Sequence, residues 1–340
     1  MKCWAKTARR ARLRRAGIFI LLFALLDGSA LPQDTNQATT LRSQTTVVLI
    51  PALVKDQSGG IVYGLAAKDF IVEDDGAEQA VRLDEAPEGR PVSLVVAIQR
   101  GRRAYAEFPR IQGLKSMLDP LFELGTARVA VVEFDSQVDL TRNFTKDASL
   151  VHDDLRNLQP GDDGAVILDA VNYSVNLLKQ EPEDRLRVLL LISETRDHGS
   201  HEKIEDAVTA IGQSNAVMYA LAFSPALSNI LDTGRGTNKN EEHPTLDLLD
   251  LAYRTAQAMR KNVPSTIASM TGGEYELFAT RKKFEVRMND FTNHLHSRYL
   301  LSFAPKSPHT GLHQIRVRVR PRLDGAGDET VLARSSYWAE

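Results

Sequence analysis

Residues 91–114, PVSLVVAIQRGRRAYAEFPRIQGL, decide the fold. Val92 to Ile98 form an apolar run without alternation, the pattern of a strand covered on both faces of a sheet. A short loop follows, and then a helix-like run. In open α/β sheets ligands gather where strands end and loops begin. A metal ion at such a place needs oxygen ligands such as Asp, Ser or Thr. The strand end here offers Gln99, Arg100, Gly101, Arg102 and Arg103 instead.

Downstream the same grammar continues. Strand-like runs at Arg128–Phe134, Val188–Ser193, Ala216–Phe223, Glu274–Phe278 and Tyr299–Phe303 alternate with helix-like runs near 104–123, 146–157, 165–180, 201–213, 245–270 and 281–296. Alternation of this kind predicts an α/β domain over 91–304: a doubly wound, mostly parallel sheet with helices on both faces. RVLLLIS (187–193) is apolar on both faces, as a central strand must be. Val138–Phe144 follows Phe134 after a few polar residues and is expected to be an antiparallel edge strand. Residues 224–245, SPALSNILDTGRGTNKNEEHPT, are too long for a routine connection and read as a mobile insertion.

The flanks read differently. Over 45–86, short β-branched runs are punctuated by turn residues, DQSGG at 56–60 and DDG at 74–76. HQIRVRVRPR (313–322) alternates with a period of two, and GDETVLARSSYW (327–338) supplies a further strand. The first flank is too small to bury a core alone. The segments 45–86 and 305–340 are therefore expected to form one small β-domain, with the α/β domain inserted between its halves.

The first thirty residues are different again. Seven basic residues from Lys2 to Arg15 precede an apolar run, Ala16 to Leu26, and Gly28-Ser29-Ala30 then offers a cleavage site. This is the three-part pattern of a secretory signal over 1–30, so a secreted or periplasmic location is expected. The apolar run is short of the roughly 20 residues of a membrane span, so no integral span is expected after signal removal. An uncleaved N-terminal membrane anchor is the alternative. Residues 31–44 are polar and aperiodic, a flexible leader. Residues 1–30 carry a net +6 against −2 for the whole chain, which leaves −8 for the rest. A net acidic surface argues against nucleic acid as a partner. The single cysteine, Cys3, lies inside the signal, so the remainder forms no disulfide and carries no thiol nucleophile.

Several stretches, in order, carry a family resemblance. They are VKDQSGGIVYGLAAKDFIVEDDGAEQAV (54–81), VSLVVAI (92–98), RVAVVEFDSQVDLTRNFT (128–145), RLRVLLLISETRDHGS (185–200), IASMTGGEYE (267–276), RYLLSFAP (298–305) and GLHQIRVRVR (311–320). Together they resemble the von Willebrand factor A-like domain proteins, in particular the bacterial VWFA-related family abundant in Acidobacteria, over roughly residues 45–338. The resemblance implies a protein-binding α/β domain and a metal-ion-dependent adhesion site. That site has Asp-x-Ser-x-Ser after the first strand, a Thr on a second loop and an Asp after the fourth strand. Such hard oxygens suit Mg²⁺, with waters completing an octahedron.

This chain departs from that pattern at every position. Gln99 stands for the first Asp, Gly101 and Arg103 for the two serines, Ala165 for the Thr and Glu194 for the last Asp. A permanently protonated arginine at a cation's place repels Mg²⁺. The adhesion site is thus read as degenerate, and neither a divalent cation nor any other cofactor is expected. Two readings of Arg100, Arg102 and Arg103 stay open. A guanidinium could pair with Glu194 and present donors to a partner carboxylate, or the arginines could be solvated loop residues. Asp162 and Asp163, in GDDG (161–164), could pair with those arginines or simply form a turn before a helix.

The remaining candidates are weaker. His294 and His296 are two apart on a helix and do not face each other; His198 and His201 read as surface loop residues. No nucleophile elbow, His-Glu-x-x-His or phosphate loop occurs, so no enzyme activity is expected. The expected function is a protein–protein interaction module of adhesion-like kind. A structural scaffold without ligand binding at the former metal face is the alternative.

Overall fold

The computed structural model describes residues 47–84, 90–102, 104–123, 125–223, 248–306, 309–321 and 329–339. The expected signal and leader over 1–44, the expected insertion over 224–245 and Arg103 lie outside the described residues. A first strand, β1 (Val48–Lys55), is followed by β2 (Phe70–Asp74), β3 (Ala77–Glu78) and β4 (Arg82–Leu83). Then come β5 (Val92–Gln99), β6 (Arg128–Phe134), β7 (Val138–Thr145), β8 (Leu186–Ser193), β9 (Ala216–Phe223) and β10 (Tyr275–Phe278). These last six form one sheet in the order β10-β9-β8-β5-β6-β7, parallel throughout except for β7, which runs antiparallel to β6 at the edge.

All eight residues of β5 are buried, as its unbroken apolar pattern requires. Alternate residues serve opposite faces. Val95 and Ala97 pack with helices α5 (Ile167–Lys179), α6 (Ile204–Gln213) and α8 (Val263–Thr271). Leu94, Val96 and Ile98 pack on the other side with α1 (Phe108–Ile111), α2 (Leu114–Met117), α3 (Asp119–Glu123), α4 (Ala148–Arg156) and α9 (Arg281–His296). The sheet is therefore doubly wound, and the crossing over at β5 and β8 places their C-terminal ends side by side.

Two helix-like runs are broken for evident reasons. The run at 104–123 becomes a 3₁₀ turn, Ala104–Glu107, and then α1, α2 and α3. Pro109 and Pro120 donate no backbone hydrogen bond, and Gly113 precedes α2. The run at 245–270 divides into α7 (Leu248–Lys261) and α8, because Asn262 leaves the helix to cap Ser265 N at 3.0 Å.

Tyr299–Phe303, expected in the α/β sheet, is strand β11 of another sheet. It pairs antiparallel with β1, Ile50 opposite Leu301, in a four-stranded sheet β13-β1-β11-β4 whose β13 is Thr330–Ala333. A second sheet, β14-β12-β2-β3, is completed by β12 (Gly311–Val319) and β14 (Ser336–Ala339). Val48, Ile50 and Leu301 of one sheet and Phe70, Val72 and Ile315 of the other share one buried cluster, so the pair is a sandwich.

Buried cations tie the sandwich to the α/β part. The Arg334 guanidinium donates to the carbonyls of Ser336, Leu49 and Gly212. Burial pulls it down to about 10. Arg298 donates to the Tyr219 hydroxyl at 2.7 Å and to Gly272 O. Glu274, just before β10, meets Lys55 of β1 at 2.5 Å and His294 Nδ1 of α9 at 2.7 Å. Among the described residues no helix is long and apolar enough to cross a membrane.

Candidate functional site

Three loops meet at the C-terminal ends of β5, β6 and β8. Gln99, the last residue of β5, is buried and turns its amide across to the end of β8. Its Oε1 accepts from Glu194 N at 2.8 Å, and its Nε2 lies 3.3 Å from both Glu194 Oε1 and Gly101 O. Arg102 completes the set: its Nε forms an ion pair with Glu194 Oε1 at 3.0 Å. Arg102 holds φ +56, the left-handed region, which costs a non-glycine residue roughly 1–2 kcal/mol. Its N–H donates to Asp162 O at 2.5 Å, which offsets part of that cost.

Arg100 points the other way, along β6 and β7. Its Nε lies 2.9 Å from Asp135 Oδ2, its guanidinium lies 3.6 Å from Glu133 Oε2, and it pairs with Asp139 as well. Burial nonetheless pushes the Glu133 carboxyl up, against the Thr141 hydrogen bond and the Arg100 charge. Asp162 is a turn residue. Its Oδ1 accepts from Ser136 N at 2.9 Å and Gly164 N at 2.8 Å, and its Oδ2 accepts from the Ser136 hydroxyl. These bonds, the hydroxyl's first, hold its carboxyl below the usual range. Asp163 is exposed.

Ala165 is fully buried and bridges to His198 through two backbone bonds, N to O at 3.0 Å and O from N at 2.8 Å. The first N–H groups of α5 have no cap of their own. Asp197 Oδ1 accepts from Leu168 N at 3.0 Å and Ser200 Oγ from Asp169 N at 3.2 Å, so the loop after β8 caps the helix after the GDDG loop.

Two glycines let these loops approach closely. A Cβ at Gly101 would overlap the Gly164 carbonyl oxygen and come within 2.7 Å of Asp135 Cβ. A Cβ at Gly164 would overlap the backbone of Ser136. This geometry does not fit the metal implied by the family resemblance. Gln99 spends its carbonyl oxygen on Glu194 N–H, Gly101 and Ala165 carry no side-chain oxygen, and Glu194 already faces a guanidinium. Among the described residues of the rim, the carboxylates that do converge, Glu133, Asp135 and Asp139, converge on the Arg100 guanidinium and not on an open cation position.

The loops thus bring together Gln99, Arg100, Gly101, Arg102, Asp162, Ala165 and Glu194; Arg103 lies outside the described residues. It is Arg102 that meets Glu194. Asp162 joins the rim through Ser136. Sequence reading missed Glu133, Asp135, Ser136 and Asp139. Their signal was position: FDSQVD begins at Phe134, the end of β6, the same sheet edge as Gln99. His294 is held by Glu274, and burial depresses His296; neither reaches this rim.

Residues 101–197 match the family model of the von Willebrand factor type A domain. Among solved structures the chain is similar to an aerotolerance-related membrane protein from Bacteroides fragilis at 15% identity, covering 59% of this chain and 98% of that one, with a TM-score of 0.41. It is similar to the conserved hypothetical protein BatB from Bacteroides thetaiotaomicron at 14% identity, with coverages of 60% and 98% and a TM-score of 0.39. A third is the vWF domain of the type V pili tip protein Mfa5 from Porphyromonas gingivalis, at 11% identity, 60% and 94% coverage and a TM-score of 0.37. No curated protein matches the chain.

Proposed function

We propose that this chain, which carries a von Willebrand factor A-like domain, is a secreted or periplasmic protein-interaction module that works without a metal at its loop rim. The observation that carries this reading is the Arg102–Glu194 ion pair, bridged by Gln99, at the place where the family's cation would sit. A guanidinium there supplies a fixed positive charge and leaves donors for a carboxylate on a partner. His198 Nε2 lies 4.0 Å from Glu194 Oε1, and exposed Asp163 and Arg196 sit on the same two loops as Asp162 and Glu194. The partner is a protein: the −8 charge of the chain beyond residue 30 disfavours nucleic acid. The rim offers paired charges rather than a nucleophile with its base, so no enzymatic role is proposed. The localisation follows from reading residues 1–30 as a signal.

Chelator-treated full chain is expected to keep its melting temperature within about 1 °C when millimolar Mg²⁺ is added, since a ligand far above its Kd stabilises by a few kcal/mol and moves the midpoint by several degrees. A rise of several degrees that Glu194→Ala abolishes would show the metal reading to be the right one. One observation favours a second reading, a scaffold with no ligand at the rim: Arg100 is consumed by Glu133, Asp135 and Asp139. A photo-cross-linker at Asp163 separates the two. Adducts formed in the native compartment and lost in Arg102→Ala support the module; adducts indifferent to that change support the scaffold.

A further inference from the structure

A cluster in the sandwich, far in sequence from the rim, has the chemistry of a transition-metal site. His313 on β12 is fully buried, and Asp74 at the end of β2 is 5% exposed. His313 Nδ1 lies 2.8 Å from Asp75 Oδ2 and 3.2 Å from Asp74 Oδ1. His309 Nε2 lies 3.0 Å from the same Asp75 oxygen. The ligand atoms of Asp75, His309 and His313 all fall within 4.8 Å of one another.

The outer partners fix which atoms face inward. His313 Nε2 is 2.8 Å from His309 O, a carbonyl that can only accept, so Nε2 carries a proton and Nδ1 is left facing two carboxylates. His309 Nδ1 likewise faces a carbonyl, Thr310 O, at 3.4 Å. Asp75 Oδ1 is occupied by Gln314 N–H at 2.9 Å and Asp74 Oδ2 by the Tyr337 hydroxyl at 3.1 Å. Each of the four side chains therefore spends one polar atom on an orienting bond; the free atoms of Asp75, His309 and His313 gather at one place, with Asp74 Oδ1 beside His313. This is the arrangement in which ligating histidines are held by carbonyls and ligating carboxylates by hydrogen bonds.

Charge points the same way. Two carboxylates and two neutral imidazoles balance one divalent cation. We infer that Asp75, His309 and His313, with Asp74 beside His313, form a binding site for a zinc-like divalent ion, distinct from the loop rim. Two imidazole nitrogens beside carboxylate oxygen suit tetrahedral Zn²⁺ rather than Mg²⁺ or Ca²⁺, which prefer oxygen alone. Tetrahedral bonds of about 2.0–2.1 Å put neighbouring donors roughly 3.3 Å apart, close to the separations of 2.8 to 3.2 Å around His313 and Asp75. The two rings are stacked, with centroids 3.7 Å and planes 10° apart, so binding requires the His309 ring to turn out of the stack and bring its lone pair to the ion.

The test uses purified full chain without a polyhistidine tag, stripped with chelator. Equilibrium dialysis against Zn²⁺ should give one tightly held ion per chain, and Mg²⁺ at the same concentration should not displace it. Co²⁺ in its place should give the strong visible bands of a tetrahedral site. His309→Ala removes an exposed ligand and should weaken Zn²⁺ at least tenfold with the metal-free melting temperature unchanged; Asp75→Asn should do the same. His201→Ala, at the exposed His201–Asp169 pair, should leave binding intact. Absence of tight Zn²⁺, or equal affinity in His309→Ala and the unmodified chain, overturns the site. These outcomes are independent of the metal state of the loop rim.

Discussion

Gly101→Ser is expected to destabilise the protein by about 3 kcal/mol or more, at the upper end of what forced overpacking costs. The new Cβ would overlap the Gly164 carbonyl and press on Asp135. Both obstacles are backbone or near-backbone, so no flexible side chain can swing away. Relief requires the 161–165 loop to move off the 99–102 loop. That breaks Gly161 N to Arg100 O at 2.9 Å and Arg102 N to Asp162 O at 2.5 Å. Urea unfolding followed by circular dichroism measures the change. Asp163→Ser on the exposed side of the same turn should stay within about 0.5 kcal/mol. A Gly101→Ser protein as stable as the original would mean that the loops part freely and that the rim can admit the serine of the adhesion motif.

The second large effect is acid sensitivity centred on Glu274. Burial alone would raise this carboxyl, but the His294 hydrogen bond and the charges of Arg298 and Lys55 outweigh it and hold the group at about 2, against an ordinary 4.5. A carboxyl depressed in the folded state contributes stability that is complete above about pH 4.5 and is lost as pH falls toward 2. The difference corresponds to on the order of 3 kcal/mol. Urea midpoints measured from pH 6 to pH 2.5 should fall steeply in the natural chain. In Glu274→Gln the starting stability should be lower and this part of the acid slope absent. Parallel slopes in the two proteins would mean that the Lys55–Glu274–His294 contact contributes nothing to holding the sandwich against the α/β part.

The central sheet was legible because burial on both faces leaves an unmistakable mark: VSLVVAI and RVLLLIS have no polar alternation, and both became interior strands. The antiparallel edge was legible from the short turn between Phe134 and Val138. YLLSF was misplaced because a short apolar run announces a strand but not its sheet. Val48–Lys55 was available to pair with it, and only the three-dimensional return of the chain decides that. At the rim, the residues standing at the positions of the adhesion motif could be read one by one. The contacts they make there could not. Glycine spacing does not announce that Gly101 and Gly164 allow backbones to touch, nor does the order of Gln99, Arg100 and Arg102 tell which guanidinium turns inward. The Asp75–His309–His313 cluster was hidden for a similar reason. Its halves are separated by more than two hundred residues, and the DDG turn and the histidines each look ordinary alone.

The pairing of β1 with both β11 and β13 has a mechanical consequence. The α/β part enters through β5 and leaves through α9, and the strands just outside it, β4 and β11, are hydrogen-bonded neighbours. Tension applied between Val48 and Ala339 is therefore borne first by the antiparallel ladders of the sandwich. The loop rim and the sheet beneath it are bypassed, because their entry and exit are already stitched together. Under load the α/β part would keep its shape until the sandwich yields, with the strands on either side of it taking the strain.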